Sequence, residues 1–253
     1  MSPSYYETPT GRRLAYVHTP YSSDGAGLPA VVFLGGFKSD MEGTKATHLE
    51  QLCADQGQEF LRFDYSGHGQ SDGAFVDGTI GAWKQDAIDI MDHVLEGRRA
   101  IVIGSSMGGW IALRLLSEGR EDIKGVIGIA AAPDFTKDIE NKMGDAEKEM
   151  MDRLGRLEVP NDYSEEPYIF TQALLKDGAH QSVLDQAHTV SVPLVLIQGK
   201  IDADVAWEKA LKIEEKFQGP DTKIIFIEDG DHSLSRPQDL NILSQELKRL
   251  SEI

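Results

Sequence analysis

The sequence predicts an α/β fold in which a mostly parallel, doubly wound sheet carries helices on both faces. Short apolar runs rich in β-branched residues alternate along the chain with longer segments of helical periodicity. Glycine or a polar turn bounds each run, which is typical of strands buried on both faces. The length of 253 residues suffices for a sizeable core. We therefore expect one domain over residues 1–253.

Apolar runs predict the strands of the sheet, and an N-terminal hairpin predicts an antiparallel edge. The hairpin is the segment ETPTGRRLAYVHT, which turns around Thr10 and Gly11. The runs that predict parallel strands are Ala30–Leu34, Glu59–Asp64, Ala100–Gly104, Gly125–Ala132, Pro193–Gly199 and Lys223–Asp229.

Segments with apolar residues at i, i+3 and i+4 spacing predict helices between these strands. The last of them begins with Pro237, and proline is favoured at the first position of a helix. The predicted helices are Met41–Gln56, Thr79–Leu95, Met107–Glu118, Ala206–Phe217 and Pro237–Leu250.

Residues 134–187 interrupt the alternation of strands and helices. They contain helical material and no convincing strand, so we expect a helical cap inserted over the edge of the sheet. Its apolar side chains either pack the cap onto the sheet or line a tunnel for an acyl group. Met150, Tyr168 and Phe170 are the candidates for the second use.

The charge balance limits the classes of partner. The chain has 25 Lys and Arg against 42 Asp and Glu, a net charge of −17. Phosphate binding needs clustered basic residues, so we expect neither nucleic acid nor an anionic membrane as a partner. The single cysteine, Cys53, excludes an internal disulfide and any cysteine-based metal site. The histidines show no metal-ligand spacing, so we expect no metal.

The N-terminal residues show neither a secretory signal nor an Arg-rich transit peptide. No apolar run approaches the roughly 18 residues that cross a bilayer. We therefore expect a cytoplasmic protein without a membrane span. The sequence leaves the oligomeric state open.

The most specific chemical signal is Gly104-Ser105-Ser106-Met107-Gly108, a GxSxG pattern centred on Ser106. It follows a predicted buried strand and opens a predicted helix. In that setting the serine occupies the tip of a tight turn, where a Cβ at either glycine would clash. The pattern therefore predicts Ser106 as a nucleophile.

A serine nucleophile needs a histidine base and an acid that orients the histidine. His232 follows the last predicted strand and precedes the terminal helix, so we predict it as the base. Asp202, at the end of the preceding strand, is the favoured acid. Asp204, two residues later, and Asp134, after an earlier strand, remain alternatives.

Two backbone N–H groups are expected to stabilise the oxyanion that forms during attack on a carbonyl. Met107 follows the nucleophile at the start of a helix and supplies one. Phe37 supplies the other from the turn after the first parallel strand, where Gly36 permits close approach of the backbone.

Together these residues resemble the serine α/β-hydrolase superfamily over nearly the whole chain. More specific strings resemble the branch of abhydrolase-domain palmitoyl-protein thioesterases, also described as acyl-glucuronide esterases, and their bacterial homologues. Those strings are FLGGFKSDMEGTKA, RFDYSGHGQSDG, TIGAWKQD, GSSMGGW, YSEEPY and GKIDADVAW.

The resemblance implies hydrolysis of a carboxylic ester or thioester of a small molecule or an acylated protein. It implies an acyl-enzyme on Ser106 and no cofactor, and the sequence carries no phosphate-binding or dinucleotide fingerprint. Two alternatives remain: transfer of the acyl group to an acceptor other than water, and a non-catalytic protein that binds a ligand on the same fold.

Overall fold

The computed structural model describes residues 2–161 and 166–253 of the chain. Each predicted parallel strand forms, with ends within three residues of the predicted ones. The strands of the described residues are β1 (Ser4–Glu7), β2 (Arg13–Thr19), β3 (Ala30–Leu34), β4 (Phe60–Phe63), β5 (Ala100–Ser105), β6 (Ile123–Ile129), β7 (Arg156–Val159), β8 (Tyr168–Thr171), β9 (His188–Thr189), β10 (Leu194–Gly199), β11 (Phe217–Gln218) and β12 (Thr222–Ile227).

Each predicted helix also forms, and further helices lie in residues 134–187. The α-helices of the described residues are α1 (Thr44–Asp55), α2 (Ile80–Leu95), α3 (Met107–Ser117), α4 (Phe135–Lys142), α5 (Asp145–Leu154), α6 (Gln172–His180), α7 (Glu208–Lys216) and α8 (Pro237–Ser251). Short 3₁₀ turns occupy Ser23–Gly25 and Phe75–Asp77.

The central sheet has eight strands in the order β1-β2-β4-β3-β5-β6-β10-β12. The β1–β2 and β2–β4 pairs are antiparallel, which confirms the antiparallel hairpin at the sheet edge. All pairs from β4 to β12 are parallel. The sheet is therefore mostly parallel, as the sequence predicts.

Both faces of the sheet are buried along its inner strands β3, β4, β5, β6 and β10, which explains why these strands are mostly apolar runs. Alternate residues of β3 point into two separate cores. Ala30, Val32 and Leu34 contribute to the core beneath α2 and α3. Val31 and Phe33 contribute to the core beneath α1 and α8.

The strand order reverses at β3, because β4 lies on one side of β3 and β5 on the other. In open α/β sheets, ligands bind outside the carboxyl ends of the strands at such a switch point. The loop after β3 and the turn after β5, which carries Ser106, leave the sheet at this place.

Residues 134–187, the cap segment, differ from the prediction in one respect. They contain α4, α5 and α6, but also an antiparallel pair formed by β7 and β8. Each of these strands has four residues, too few for a periodic pattern to separate strand from helix. Residues 163–165 of the YSEEPY string lie outside the described residues. The division into one domain with an inserted cap stays a prediction.

Candidate active site

Ser106 lies at the turn between β5 and α3 in a strained backbone conformation, with φ 53° and ψ −116°. Its N–H donates to the carbonyl oxygen of Ile129 on the neighbouring strand, at 2.9 Å. A Cβ on Gly104 would collide with the backbone of Gly108, and one on Gly108 with the carbonyl of Leu34. Both glycines are therefore needed for the turn that presents Ser106.

His232 and Asp202 meet Ser106 in one hydrogen-bonded chain. Nε2 of His232 lies 3.1 Å from Oγ of Ser106, and Nδ1 lies 2.9 Å from Oδ2 of Asp202. The loops after β10 and β12 are joined by the N–H of Ile201, which donates to the carbonyl of Gly230 at 3.1 Å. This contact brings the aspartate and the histidine together although 30 residues separate them.

The environment of Asp202 favours its ionised form. Its carboxylate has no exposed surface, and burial alone raises its pKa. Hydrogen bonds from His232, Val205 and Asp204 outweigh burial and lower the pKa below 3.8. Gln198 donates a further bond at 3.0 Å. An ionised Asp202 holds Nδ1 of His232 protonated, so that Nε2 can accept the proton of Ser106.

Of the alternative acids, Asp134 lies in a different part of the hydrogen-bond network, whereas Asp204 adjoins Asp202. The carboxylate of Asp134 accepts the N–H groups of Val183 and Leu184, at 3.0 and 3.3 Å, and so holds the end of the cap segment. Asp204 donates its N–H to Oδ1 of Asp202 at 2.9 Å. Among the three candidates, the structure brings the Asp202 carboxylate against the imidazole of His232.

Asp202, Asp204 and His232 also form the one group of potential metal ligands within residues 2–161 and 166–253, with ligand atoms within 4.8 Å of one another. Both oxygens of Asp202 and Nδ1 of His232 already take part in the hydrogen bonds described above. The arrangement therefore fits a proton-transfer chain.

The loop of residues 35–38, called the β3 loop below, lies beside Ser106. A Cβ on Gly36 would stand 3.6 Å from Cβ of Ser106, an ordinary van der Waals contact. Neither the N–H of Phe37 nor that of Met107 donates to an acceptor within the part of the chain that the structure describes. Both donors thus flank the serine without an internal partner, as an oxyanion site requires.

A cavity of about 830 Å³ opens over Ser106 and His232. Phe37, Tyr168 and Phe170 line it, so the structure brings both predicted aromatic residues of the cap segment to the site. The ring of Phe37 packs against those of Phe75, Trp83, Phe135, Tyr168 and Phe170, with centroids between 4.8 and 5.9 Å. We call these six residues the Phe37 cluster.

Met150 is not among the residues that line the cavity, and its role as a substrate contact stays a prediction. Its side chain is 39% exposed on α5. The neighbouring Met151 instead faces inward and packs with Met143, Leu157 and Leu175. Consecutive positions of a helix point about 100° apart, which explains why one methionine is buried and the next is not.

The residues at the site that were not predicted from the sequence include Phe135 and Lys45. Phe135, the first residue of α4, lines the cavity. Lys45 donates through Nζ to the carbonyl of Ser233 at 2.5 Å and to Oγ of Ser235 at 3.3 Å, so it ties α1 to the loop that carries His232. Burial lowers the pKa of Lys45 to about 8. The GTKA string that contains Lys45 was the signal available in the sequence.

The mostly parallel sheet and the serine at its strand–helix turn define an α/β-hydrolase. A family model described as "Serine aminopeptidase, S33" matches residues 29–239. The chain therefore belongs to this family and is a hydrolase of the α/β-hydrolase superfamily.

Within the superfamily, the chain is similar to the mitochondrial palmitoyl-protein thioesterase ABHD10. The mouse protein is 32% identical over 216 residues, which cover 85% of this chain and 72% of the relative. The mouse structure superposes with a TM-score of 0.90 at 30% identity, covering 100% of this chain and 99% of that one. A putative hydrolase from Agrobacterium vitis S4 reaches 0.93 at 39% identity, covering 99% and 98%.

In the described part of the chain, no helix combines the length and apolar character that a membrane crossing needs. The curated ABHD10 relatives are named as mitochondrial proteins. The expected cytoplasmic location of this chain stays a prediction.

Proposed function

We propose that the chain hydrolyses carboxylic esters or thioesters through an acyl-enzyme, with Ser106 as nucleophile, His232 as base and Asp202 as the orienting acid. The observation that carries the proposal is the continuous chain of hydrogen bonds from Oγ of Ser106 to Oδ2 of Asp202, with links of 3.1 and 2.9 Å. These distances lie within the reach required for proton transfer.

In the proposed reaction, Oγ of Ser106 attacks the acyl carbonyl while Nε2 of His232 takes its proton. The N–H groups of Phe37 and Met107 stabilise the oxyanion, aided by the positive end of the α3 dipole. Collapse of the tetrahedral intermediate expels the alcohol or thiol, which receives the proton from His232. Water then attacks the acyl-enzyme with His232 again as base, and Ser106 is regenerated.

The cavity supports an acyl substrate with a substantial apolar portion. Its volume of about 830 Å³ is that of a small-molecule site, and aromatic side chains of the cap segment contribute to its wall. Similarity to a palmitoyl-protein thioesterase supports the hypothesis that thioesters are among the substrates. We therefore propose acyl thioesters and esters, on a small molecule or on an acylated protein, as the substrate class.

A fluorophosphonate probe tests the nucleophile, because it phosphonylates an activated serine. We expect labelling of the wild type at Ser106 by peptide mass spectrometry and none in Ser106→Ala. Ser117→Ala, which removes a serine at the far end of the same helix, is the matched control and should label like the wild type. Labelling that persists in Ser106→Ala would refute the proposal, and an unlabelled wild type would favour a protein that binds a ligand without catalysis.

A panel of p-nitrophenyl esters and acyl thioesters of increasing chain length tests the substrate class. We expect turnover that Ser106→Ala lowers by roughly 10³-fold or more. Adding alcohols or thiols to the assay distinguishes hydrolysis from transfer. If the acyl group passes mainly to the added acceptor rather than to water, the reaction is acyl transfer.

A further inference from the structure

We propose that His68 is a positioning residue that fixes the β3 loop, and with it the N–H of Phe37, by accepting the backbone N–H of Lys38. The inference rests on the proposed function, because the loop matters only if Phe37 stabilises an oxyanion. His68 makes no hydrogen bond to Ser106 or His232. It acts through Lys38, whose backbone N lies 3.2 Å from Nε2 of His68.

The β3 loop needs such a support because its backbone is strained. Lys38 has a φ of 57°, in the left-handed region that a side chain with a Cβ disfavours. Two peptide planes determine where the N–H of Phe37 points. The plane that contains this N–H also contains the carbonyl of Gly36. That carbonyl accepts two hydrogen bonds from Ser39, one from its Oγ at 2.8 Å and one from its backbone N–H at 3.3 Å.

His68 holds the second plane, which joins Phe37 to Lys38. Because the two planes meet at the Cα of Phe37, fixing both leaves the φ and ψ of Phe37 little freedom. The N–H of Phe37 then keeps one direction before substrate arrives. Such preorganisation is what makes a backbone donor effective toward a charge that develops only in the transition state.

The protonation state of His68 suits an acceptor at Nε2. Nδ1 lies 3.3 Å from the carbonyl of Ser66 and donates to it, so the remaining ring nitrogen carries a lone pair. The ring is 4% exposed and packs against those of Tyr65, Phe75 and Trp83, with centroids between 5.1 and 5.5 Å. Burial lowers the pKa of His68 to about 4, which keeps the imidazole neutral at neutral pH.

Helix α2 holds the residue to which His68 is anchored. The carbonyl of Ser66 also accepts a hydrogen bond from Nε1 of Trp83 at 3.0 Å. The backbone N–H and Oγ of Ser66 donate to the carboxylate of Asp86, at 2.9 and 2.6 Å. Asp86 is fully buried and paired with Arg12 at 2.8 Å. A continuous set of contacts therefore runs from α2 through Ser66 and His68 to the β3 loop. The residues that make these contacts belong to the strings TIGAWKQD and RFDYSGHGQSDG, so both strings help to hold the β3 loop.

The test uses kcat and KM for a neutral p-nitrophenyl ester in three variants of His68. His68→Asn retains a donor near Ser66, but its amide is too short to replace Nε2. His68→Gln places an amide oxygen near the position of Nε2, and His68→Phe keeps the ring without either nitrogen. We expect kcat to fall by about 10-fold to 100-fold in the Asn and Phe variants, less than the loss of a whole oxyanion donor.

We expect KM to change by less than about threefold, because the oxyanion is absent from the bound ester and forms only during attack by the serine. His68→Gln should recover kcat to within about threefold of the wild type. Affinity for a trifluoromethyl ketone, which forms a tetrahedral adduct with an activated serine, should fall in parallel with kcat. His93→Phe is the matched control, since His93 stacks on Tyr6 with centroids 4.0 Å apart, away from the site.

Wild-type kcat in His68→Asn, or equal kcat in the Asn and Gln variants, would overturn the inference. If His68→Phe does not fold by circular dichroism, the Asn and Gln pair still decides. Failure of the proposed function has a different signature, namely turnover that survives in Ser106→Ala. The two failures are therefore distinguishable in one set of assays.

Discussion

Asp202 divides its two carboxylate oxygens between two tasks. Oδ1 accepts the N–H groups of Asp204 and Val205 at 2.9 and 2.8 Å and so shapes its own loop. Oδ2 accepts Nδ1 of His232 at 2.9 Å. A substitution that preserves the shape of the side chain but removes its charge therefore tests the second task while largely preserving the first.

Asp202→Asn is expected to lower kcat by about 10³-fold or more, because an amide can donate to Nδ1 and leave Nε2 protonated, the wrong tautomer for a base. Asp204→Asn, the matched control, should lower kcat less than about tenfold, since its backbone N–H is retained. Steady-state kinetics with one ester measure both. The reverse ranking would assign the orienting role to Asp204. Mild effects in both variants would make Asp134 the remaining candidate for the acid.

The buried imidazole of His68 predicts a loss of stability in acid. Its pKa is lowered from 6.5 to about 4 in the folded state, so between these values the unfolded chain binds the extra proton. The free energy of unfolding therefore falls as pH decreases through this window, by on the order of 3 kcal/mol from this group.

Urea unfolding of the wild type and of His68→Gln between pH 7 and pH 4 measures this contribution. The wild type should lose more stability than the variant, because glutamine does not titrate. The difference between the two proteins cancels the contributions of other titrating groups. Equal losses in both proteins would show that His68 does not titrate in this window.

At the scale of elements, the inner strands of the central sheet could be predicted because both faces of each are buried. The run Ala30–Leu34 consists of apolar residues throughout, and β3 has the same limits. In β7 and β8, by contrast, only Leu157 and Phe170 are buried, and their pairing depends on a partner strand that the sequence does not identify. Short strands that are stabilised by each other leave little local signal.

The candidate site likewise contains residues that a local sequence pattern predicts and contacts that depend on distant parts of the chain. Ser106 could be predicted from a local pattern, because its strand, turn and helix are consecutive in the chain. Asp202 and Asp204 are two residues apart, and the sequence could rank them but not show which side chain reaches His232. The contact between His68 and Lys38 spans 30 residues and two loops, so a single sequence gives no sign of it.

The cap segment is expected to set the acyl preference through Phe170. This side chain is 7% exposed and stacks on Phe37 with centroids 5.2 Å apart. For the wild type, kcat/KM should rise with acyl length by up to about fourfold per methylene, roughly 0.8 kcal/mol each, until the cavity is filled. Phe170→Ala enlarges the cavity and should move this optimum to longer chains.

Met150→Ala is the matched control for that series, because it removes an apolar side chain of the same segment that is 39% exposed. Its chain-length profile should follow that of the wild type. A profile that peaks at acetyl in the wild type, or one that is identical in Phe170→Ala, would contradict an acyl-binding role for the cap segment.

The whole molecule carries a net charge of −17, which acts on any charged substrate before it reaches the site. Lysines also stand at the cavity, among them Lys142 and Lys212. Carboxylates line the same cavity and nearly balance the lysines, namely Asp40, Asp138, Asp204 and Glu208. The long-range repulsion from the net negative charge therefore dominates for an anionic ester, and salt screens this repulsion.

We expect kcat/KM for 4-nitrophenyl hydrogen succinate to rise by about twofold or more between 20 and 200 mM salt. The neutral 4-nitrophenyl butyrate, with an acyl chain of equal length, should show little change and serves as the reference. A ratio of anionic to neutral kcat/KM that falls with salt would show instead that the cavity lysines dominate.

Phe37 has a consequence for how such an enzyme can diversify. Its backbone belongs to the β3 loop, which lines the cavity with Ser106, while its ring belongs to the Phe37 cluster, to which the cap segment contributes Phe135, Tyr168 and Phe170. A substitution that adapts the cap to a new acyl group therefore also perturbs the proposed oxyanion donor. Adaptive paths should be epistatic, with compensating changes at Phe75 or Trp83, the members of the cluster outside the cap. Lineages that acquire new acyl preferences would carry these substitutions in pairs.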